Sequence, residues 1–309
     1  FALRGTSRHN GGMSLSPAAH PPTPPTSLVD ASHLPTRVVL LTQHGKEHLI
    51  APVFQQTLGW HVERVDGFDT DLLGTFTRDT ERPGSQMDAA RLKARKGMEL
   101  AGCSRGIASE GAFMEDPVGG FFPWNVELLL YIDDELGVEV SALAQGPARN
   151  VHAWVHSWDE VTQAAADARF PEHHLVLRPD NESDPRVVKG LADWASLRAA
   201  FDHAQALSSQ GVVFVESDLR AFGNPTRQHL IRAAAENLVV KLQSLCPACG
   251  RPGYGPVAPL RGLPCRQCGK PTRGLIGERW ACVGCAHQQD VLRPTGGWAD
   301  PSTCDHCNP

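Results

Sequence analysis

The run RVVLL at residues 37–41 is an unbroken apolar stretch of strand length, and the polar TQHGK after it marks a sharp exit from a core. From Glu47 the apolar positions Leu49, Ile50, Val53, Phe54 and Leu58 recur at helical spacing, and Gly59 supplies the stop. WHVERV reads as a second strand, and FDTDLLGTFTRDTERPGS as a polar, turn-rich loop region around a site. Ser85 and Asp88 have capping-box spacing ahead of a helix whose face is Met87, Ala90, Ala94 and Met98 and whose end is Gly102. RGIASEGAF then gives a short strand ending on an acid and a glycine, and VELLLYIDDELGVEVSALA a hairpin around DDELG.

The alternation continues. Ser157 and Glu160 cap a helix, HHLVLRP is a strand, a helix spans roughly Asp193 to Leu207, and VVFVES is a strand. Asn224 as N-cap and Pro225 at the first helical position open a long final helix that runs into the first cysteine pair. Strands alternating with helices indicate an α/β class, with a mixed central sheet, flanking helices and one antiparallel hairpin. Three segments follow: residues 1–36 as a disordered Pro-rich tail, 37–243 as the α/β domain, and 244–309 as a small cysteine-rich module of zinc-ribbon type.

Composition narrows the function classes. A net charge of −5 and a pI of about 6.3 give no broad electrostatic footprint for nucleic acid. No run approaches the roughly 18 apolar residues of a membrane helix, and the opening residues carry no apolar signal segment, so a soluble, cytoplasmic protein without membrane contact is expected.

Eight of the nine cysteines form four CxxC pairs: Cys246 and Cys249, Cys265 and Cys268, Cys282 and Cys285, Cys304 and Cys307. A CxxC turn sets two sulfurs on one side of a knuckle, and two knuckles complete the tetrahedral shell that Zn²⁺ prefers. Two structural zinc ions are expected. Sequential, interleaved and nested pairings all suit four knuckles. All-sulfur shells leave no open coordination position, and metal binding must supply much of the folding energy of a segment so poor in large apolar residues. His287 and His306 stand beside the knuckles as substitutes for a thiolate, and Cys103 reads as a buried thiol at a helix end.

Two other stretches carry polar chemistry. In TQHGKEHLIAP a strand, a glycine turn and a helix start bring Lys46 beside free helical N–H groups, which is an anion-binding arrangement or an ordinary βα turn with a solvated lysine. In VESDLRAFGNPTR the residues Asp218, Arg220, Asn224 and Arg227 cluster between a strand end and a helix start, where α/β sheets bind ligands. The plain alternative pairs Asp218 with Arg220, leaves Asn224 as a cap and solvates Arg227. His152, His156, His173 and His174 lack ligand spacing backed by a carboxylate, and FFPWN is an aromatic loop that lines a base pocket or, on the plainer reading, packs over the sheet.

TQHGKEHLIAP, ERPGSQMDAARLKARKG and IASEGAF together resemble the inosine/xanthosine triphosphate pyrophosphatase superfamily. Thr42 and Lys46 match its first strand-turn motif, with Gln43 or His44 where that family has Asn. Glu81, Gly84 and the helix around Lys93 match the second motif, and Glu110-Gly111 the third. The resemblance implies a mixed α/β fold with a nucleotide cleft, Mg²⁺ on Glu81 and Glu110, and Lys46 and Lys93 on the phosphates, with Thr42 and His44 contacting the ligand. The whole chain also resembles a bacterial domain-of-unknown-function family with a C-terminal double zinc ribbon, which implies no activity.

Two functions are therefore expected to compete. One is a Mg²⁺-dependent hydrolase of a nucleotide or other phosphorylated small molecule, with the zinc module as lid, dimer contact or partner site. The other is a non-catalytic protein that senses a nucleotide and grips nucleic acid or another protein through Arg251, Arg261, Arg266, Lys270, Arg273 and Arg279 of the tail.

Overall fold

The structure, a computed structural model, describes residues 37–43, 45–69, 84–293 and 297–309. His44, Glu81 and most of the polar loop after the second strand lie outside the described residues, as does the N-terminal tail. The described chain falls into two compact units. The larger lies within Val29–Gly255 and Cys282–His287, the smaller within Pro256–Ala281 and Gln288–Pro309.

The larger unit opens with β1 (Arg37–Leu41), α1 (Glu47–Leu58) and β2 (His61–Val65), then α2 (Gln86–Ala101), β3 (Arg105–Glu115), β4 (Pro123–Asp133) and β5 (Val138–Pro147). These strands form a mixed sheet in the order β2-β1-β3-β4-β5, parallel between β1 and both its neighbours and antiparallel from β3 onward. Strand alternation divides its two faces. Val38, Leu40, Ile107, Leu129 and Tyr131 pack with α1 and with α5 (Pro225–Gln243), while Val39, Leu41, Ala108, Leu128 and Leu130 pack with Ala90, Ala94 and Met98 of α2. The Ser85–Asp88 capping box and the left-handed stops at Gly59 and Gly102 form as the sequence predicts.

A second sheet corrects the expectation of one central sheet. β6 (His152–Val155), β7 (Leu175–Pro179), β8 (Val188–Leu191) and β9 (Val213–Ser217) form an antiparallel sheet in the order β6-β9-β7-β8. α3 (Trp158–Ala168) and α4 (Trp194–Leu207) cover it and share its own core of Val161, Leu175, Leu177, Leu197, Phe201 and Val215. Periodicity reports which element forms but not which sheet a strand joins, so alternation alone cannot detect the split.

β3 is also longer than expected. Its pairing with β4 runs from Arg105 opposite Asp133 to Glu115 opposite Pro123, so Glu110 and Gly111 lie in mid-strand rather than at its end. FFPWN does not cover the sheet: Phe121 is 83 % and Phe122 67 % exposed at the hairpin tip, and Pro123 to Asn125 begin β4. The Asp116 carboxylate accepts the N–H groups of Val118, Gly119, Phe121 and Phe122, and this tight turn leaves the two rings outside.

In the smaller unit, strands β10 (Gly255–Arg261), β11 (Leu275–Ala281) and β12 (Gln288–Leu292) form a three-stranded sheet in chain order. No helix among the described residues is long and apolar enough to cross a membrane.

Candidate functional site

The eight paired cysteines converge on two centres. Cys246, Cys249, Cys282 and Cys285 form one and Cys265, Cys268, Cys304 and Cys307 the other, with all four sulfurs of each within 4.8 Å of one another. Of the three pairings open in the sequence, the interleaved one is formed: first knuckle with third, second with fourth. Each centre is contained in a single unit.

Sulfur spacings of 3.6 Å (Cys249 to Cys282), 3.8 Å (Cys246 to Cys285), 3.7 Å (Cys268 to Cys304) and 3.9 Å (Cys265 to Cys307) suit one ion per centre. Zn–S bonds of about 2.3 Å at tetrahedral angles require sulfurs about 3.8 Å apart.

Backbone geometry prepares these knuckles. The Gly250 N–H bonds the Cys246 carbonyl and the Gly269 N–H the Cys265 carbonyl, both at glycines of positive φ. The Gln267 and Gly284 N–H groups point at the sulfurs of Cys265 and Cys282. Hydrogen bonds from the backbone, that of Cys268 foremost, pull the Cys265 thiol down to about 7. His287 and His306 stay outside both shells: the His287 ring lies against Tyr254, and His306 Nδ1 is 3.2 Å from Lys270 Nζ. Cys103 is partly buried against the α2 face of the sheet.

A second constellation forms where β1 ends. Gly45, at φ +69, turns the chain so that Lys46 starts α1 and points back across the sheet, buried, with Nζ 2.8 Å from the Ser109 carbonyl oxygen. β3 outruns β1 there, since their pairing stops at Leu40 opposite Ile107, and the next turns of β3 lie open to the incoming lysine. On the α2 face Lys93 Nζ meets Glu110 Oε1 at 2.5 Å, and Gln86 donates through Nε2 to the carbonyls of Glu110 and Val126. On the opposite face Arg227 of α5 reaches Glu127 of β4, Nε to Oε1, at 2.5 Å, with both side chains almost wholly buried. Asn125 donates to the same Glu127 oxygen at 3.1 Å, and Arg227 also donates to the Leu219 carbonyl.

Three cations and two carboxylates thus share one end of the sheet. Burial, and after it the Arg227 guanidinium, lower the Lys46 ammonium to about 7, while Glu110 and Glu127 pull the other way. Chemically the cluster can receive negative charge: an anion that approached Lys46 would restore its proton and offset the surplus of cations.

The remaining predicted residues divide. Thr42 is buried at the end of β1. Asp218 accepts from Arg220 at 2.6 Å and from the Gly190 N–H at 3.1 Å, and the Arg220 guanidinium stacks over the Phe222 ring. Asn224 caps α5 through the Arg227 N–H. Arg227 is therefore not solvated and belongs with Glu127. Glu127 is a further residue of the site, marked in the sequence only as a lone acid inside the apolar run VELLLYI. Two cations of the tail face acids, Arg273 with Asp305 and Arg279 with Asp290, and the Arg261 guanidinium donates to the Arg273 carbonyl.

Fold and centres together define a mixed α/β protein with two four-cysteine metal-type sites. Residues 93–309 match the model of a domain of unknown function, DUF6671, and the chain belongs to that family. The match takes in Lys93, Glu110, Glu127, Arg227 and all eight paired cysteines, whereas Thr42 to Lys46 precede it. Comparison with curated proteins gives no match.

Proposed function

We propose that the Lys46, Lys93 and Glu110 cluster is the phosphate site of a Mg²⁺-dependent hydrolase acting on a nucleotide or a related phosphorylated small molecule, and that the two cysteine centres hold structural zinc. The observation that carries the first part is the convergence of separate sequence motifs. Lys46 from the turn after β1 touches Ser109, whose neighbour Glu110 pairs with Lys93 of α2. The reading also rests on the resemblance of these same sequence stretches to inosine/xanthosine triphosphate pyrophosphatases.

Mg²⁺ takes one or two carboxylates along with substrate phosphates and waters. The carboxylate of the cluster is Glu110, paired with Lys93, and a carboxylate beside a phosphate-binding lysine is the kind of donor Mg²⁺ takes. Bound there, Mg²⁺ would neutralise phosphate charge. Lys46 would bind and orient the phosphates, and Arg227, held by Glu127, adds positive potential from the opposite face without being spent on the substrate. The sulfur-only centres supply folding energy rather than chemistry.

The test is release of phosphate or pyrophosphate from a panel of nucleoside triphosphates, with and without Mg²⁺, by the full zinc-loaded chain. Mg²⁺-dependent release supports the hydrolase. Absence of release from every nucleotide, by protein that is folded and carries both zinc ions, rejects it and favours a binding role.

A further inference from the structure

Beside the α5 N-terminus is a cavity of about 550 Å³, lined by Gly146 and Pro147 of β5, the segment after α3, and the first turns of α5. That volume falls in the range of small-molecule sites. None of its lining residues belongs to the Lys46, Lys93 and Glu110 cluster. Its polar groups are Arg169, His173, Thr226 and His229, with Glu172 as the one acid, while Leu230, Pro147 and Pro225 give it an apolar wall.

Several features point to a negatively charged occupant. The 19-residue helix α5 begins at this wall, and its first turn directs one open N–H and the positive end of its dipole outward. Pro225 has no N–H and that of Arg227 is taken by Asn224, so Thr226 supplies the first-turn donor. His173 is 5 % exposed, lines the cavity, and has Nε2 2.9 Å from the Thr226 hydroxyl, while its Nδ1 has no partner. The Nε2 contact fixes the Thr226 hydroxyl at the cavity wall. Arg169 makes no ion pair with a carboxylate among the described residues, and it holds the left-handed position after α3, φ 62, where glycine is the usual residue.

We propose that this cavity binds a small organic anion, its oxyanion head held by Arg169, His229 and the first turn of α5 and its apolar body against Leu230, Pro147 and Pro225. A carboxylate and a phosphate monoester share this chemistry. The site is separate from the proposed hydrolase site and does not depend on it.

The experiment is calorimetric titration of the full zinc-loaded chain with 3-phenylpropionate, with phenyl phosphate and with uncharged 3-phenylpropanol. At least one anion is expected to saturate a single site while the alcohol does not, and whichever anion binds identifies the head group. Arg169→Gly and His229→Gln should each weaken binding about tenfold or more, the loss of a charge-assisted contact. Arg169→Gly should leave the melting temperature unchanged or raised, because glycine suits the left-handed backbone, so weakened binding cannot be ascribed to unfolding. Lys46→Met should bind as the wild type does. The proposal is overturned if neither anion saturates, if the alcohol binds equally well, or if binding is lost in Lys46→Met and retained in Arg169→Gly.

Discussion

Replacing Glu127 by alanine removes a carboxylate that the structure holds directly against Arg227, at a position where both side chains are almost wholly buried. The pair is 2.5 Å apart, with side-chain exposures of 3 % for Arg227 and 0 % for Glu127. Arg227 keeps the Leu219 carbonyl and Asn125 keeps the Ala112 carbonyl, so the chief loss is charge compensation of the guanidinium. Removing one partner of a buried pair costs about 3–5 kcal/mol, a large share of the roughly 5–15 kcal/mol that holds a domain folded. For a unit of this size the melting temperature should fall by about 6–20 °C. Differential scanning calorimetry of zinc-loaded protein measures it. A companion variant, Glu127→Leu with Arg227→Met, should recover most of the loss, since two apolar side chains leave no charge to satisfy. A cost below about 1 kcal/mol for Glu127→Ala, the range of solvent-exposed pairs, would refute the picture of a dry, mutually dependent pair.

Other outcomes follow from the same geometry. Gly111→Ala should destabilise the fold, because the added Cβ would fall onto Arg227 Nη2 and 2.7 Å from Glu127 Oε1, and thermal melting would show the loss. Lys46 is protonated in the unfolded chain up to about 10.5 but in the fold only up to about 7, so the unfolded state binds the extra proton between those values. Its contribution makes stability rise with pH across that window and adds no slope below it, and urea midpoints from pH 6 to 10 should lose this slope in Lys46→Met. The interleaved cysteine pairing predicts that changing Cys246, Cys249, Cys282 and Cys285 together to Ser retains one metal, on Cys265, Cys268, Cys304 and Cys307, whereas sequential or nested pairing would lose both. Elemental analysis giving two bound ions, or none, would contradict it.

What the sequence reveals here is mostly local. The Ser85–Asp88 box, the Asn224–Pro225 opening and the four CxxC knuckles form as read, because a cap or a knuckle is decided by residues a few positions apart. Long-range choices were not legible. Arg227 finds Glu127 a hundred residues away, and the pairing of knuckles depends on how three intervening loops return. The division into two sheets has the same origin, since β5 and β6 are equally strand-like and their sheet membership is set by later partners. FFPWN failed for a different reason. Aromatic residues ordinarily favour burial, but the Asp116 carboxylate gathers four N–H groups into a turn that leaves Phe121 and Phe122 outside. At the candidate site, Lys46, Lys93 and Glu110 were legible as motif residues and Glu127 only as a polar interruption of an apolar strand.

The most direct test of the proposed hydrolase is single-turnover release from Mg²⁺-bound nucleoside triphosphate by wild type and by Glu110→Gln, both verified to hold two zinc ions. The wild type should release product and the variant should lose about 100-fold or more, as expected when a group that organises charge at the phosphates is removed. Equal release by the two proteins would contradict a role for Glu110, and no release by either would contradict the hydrolase itself.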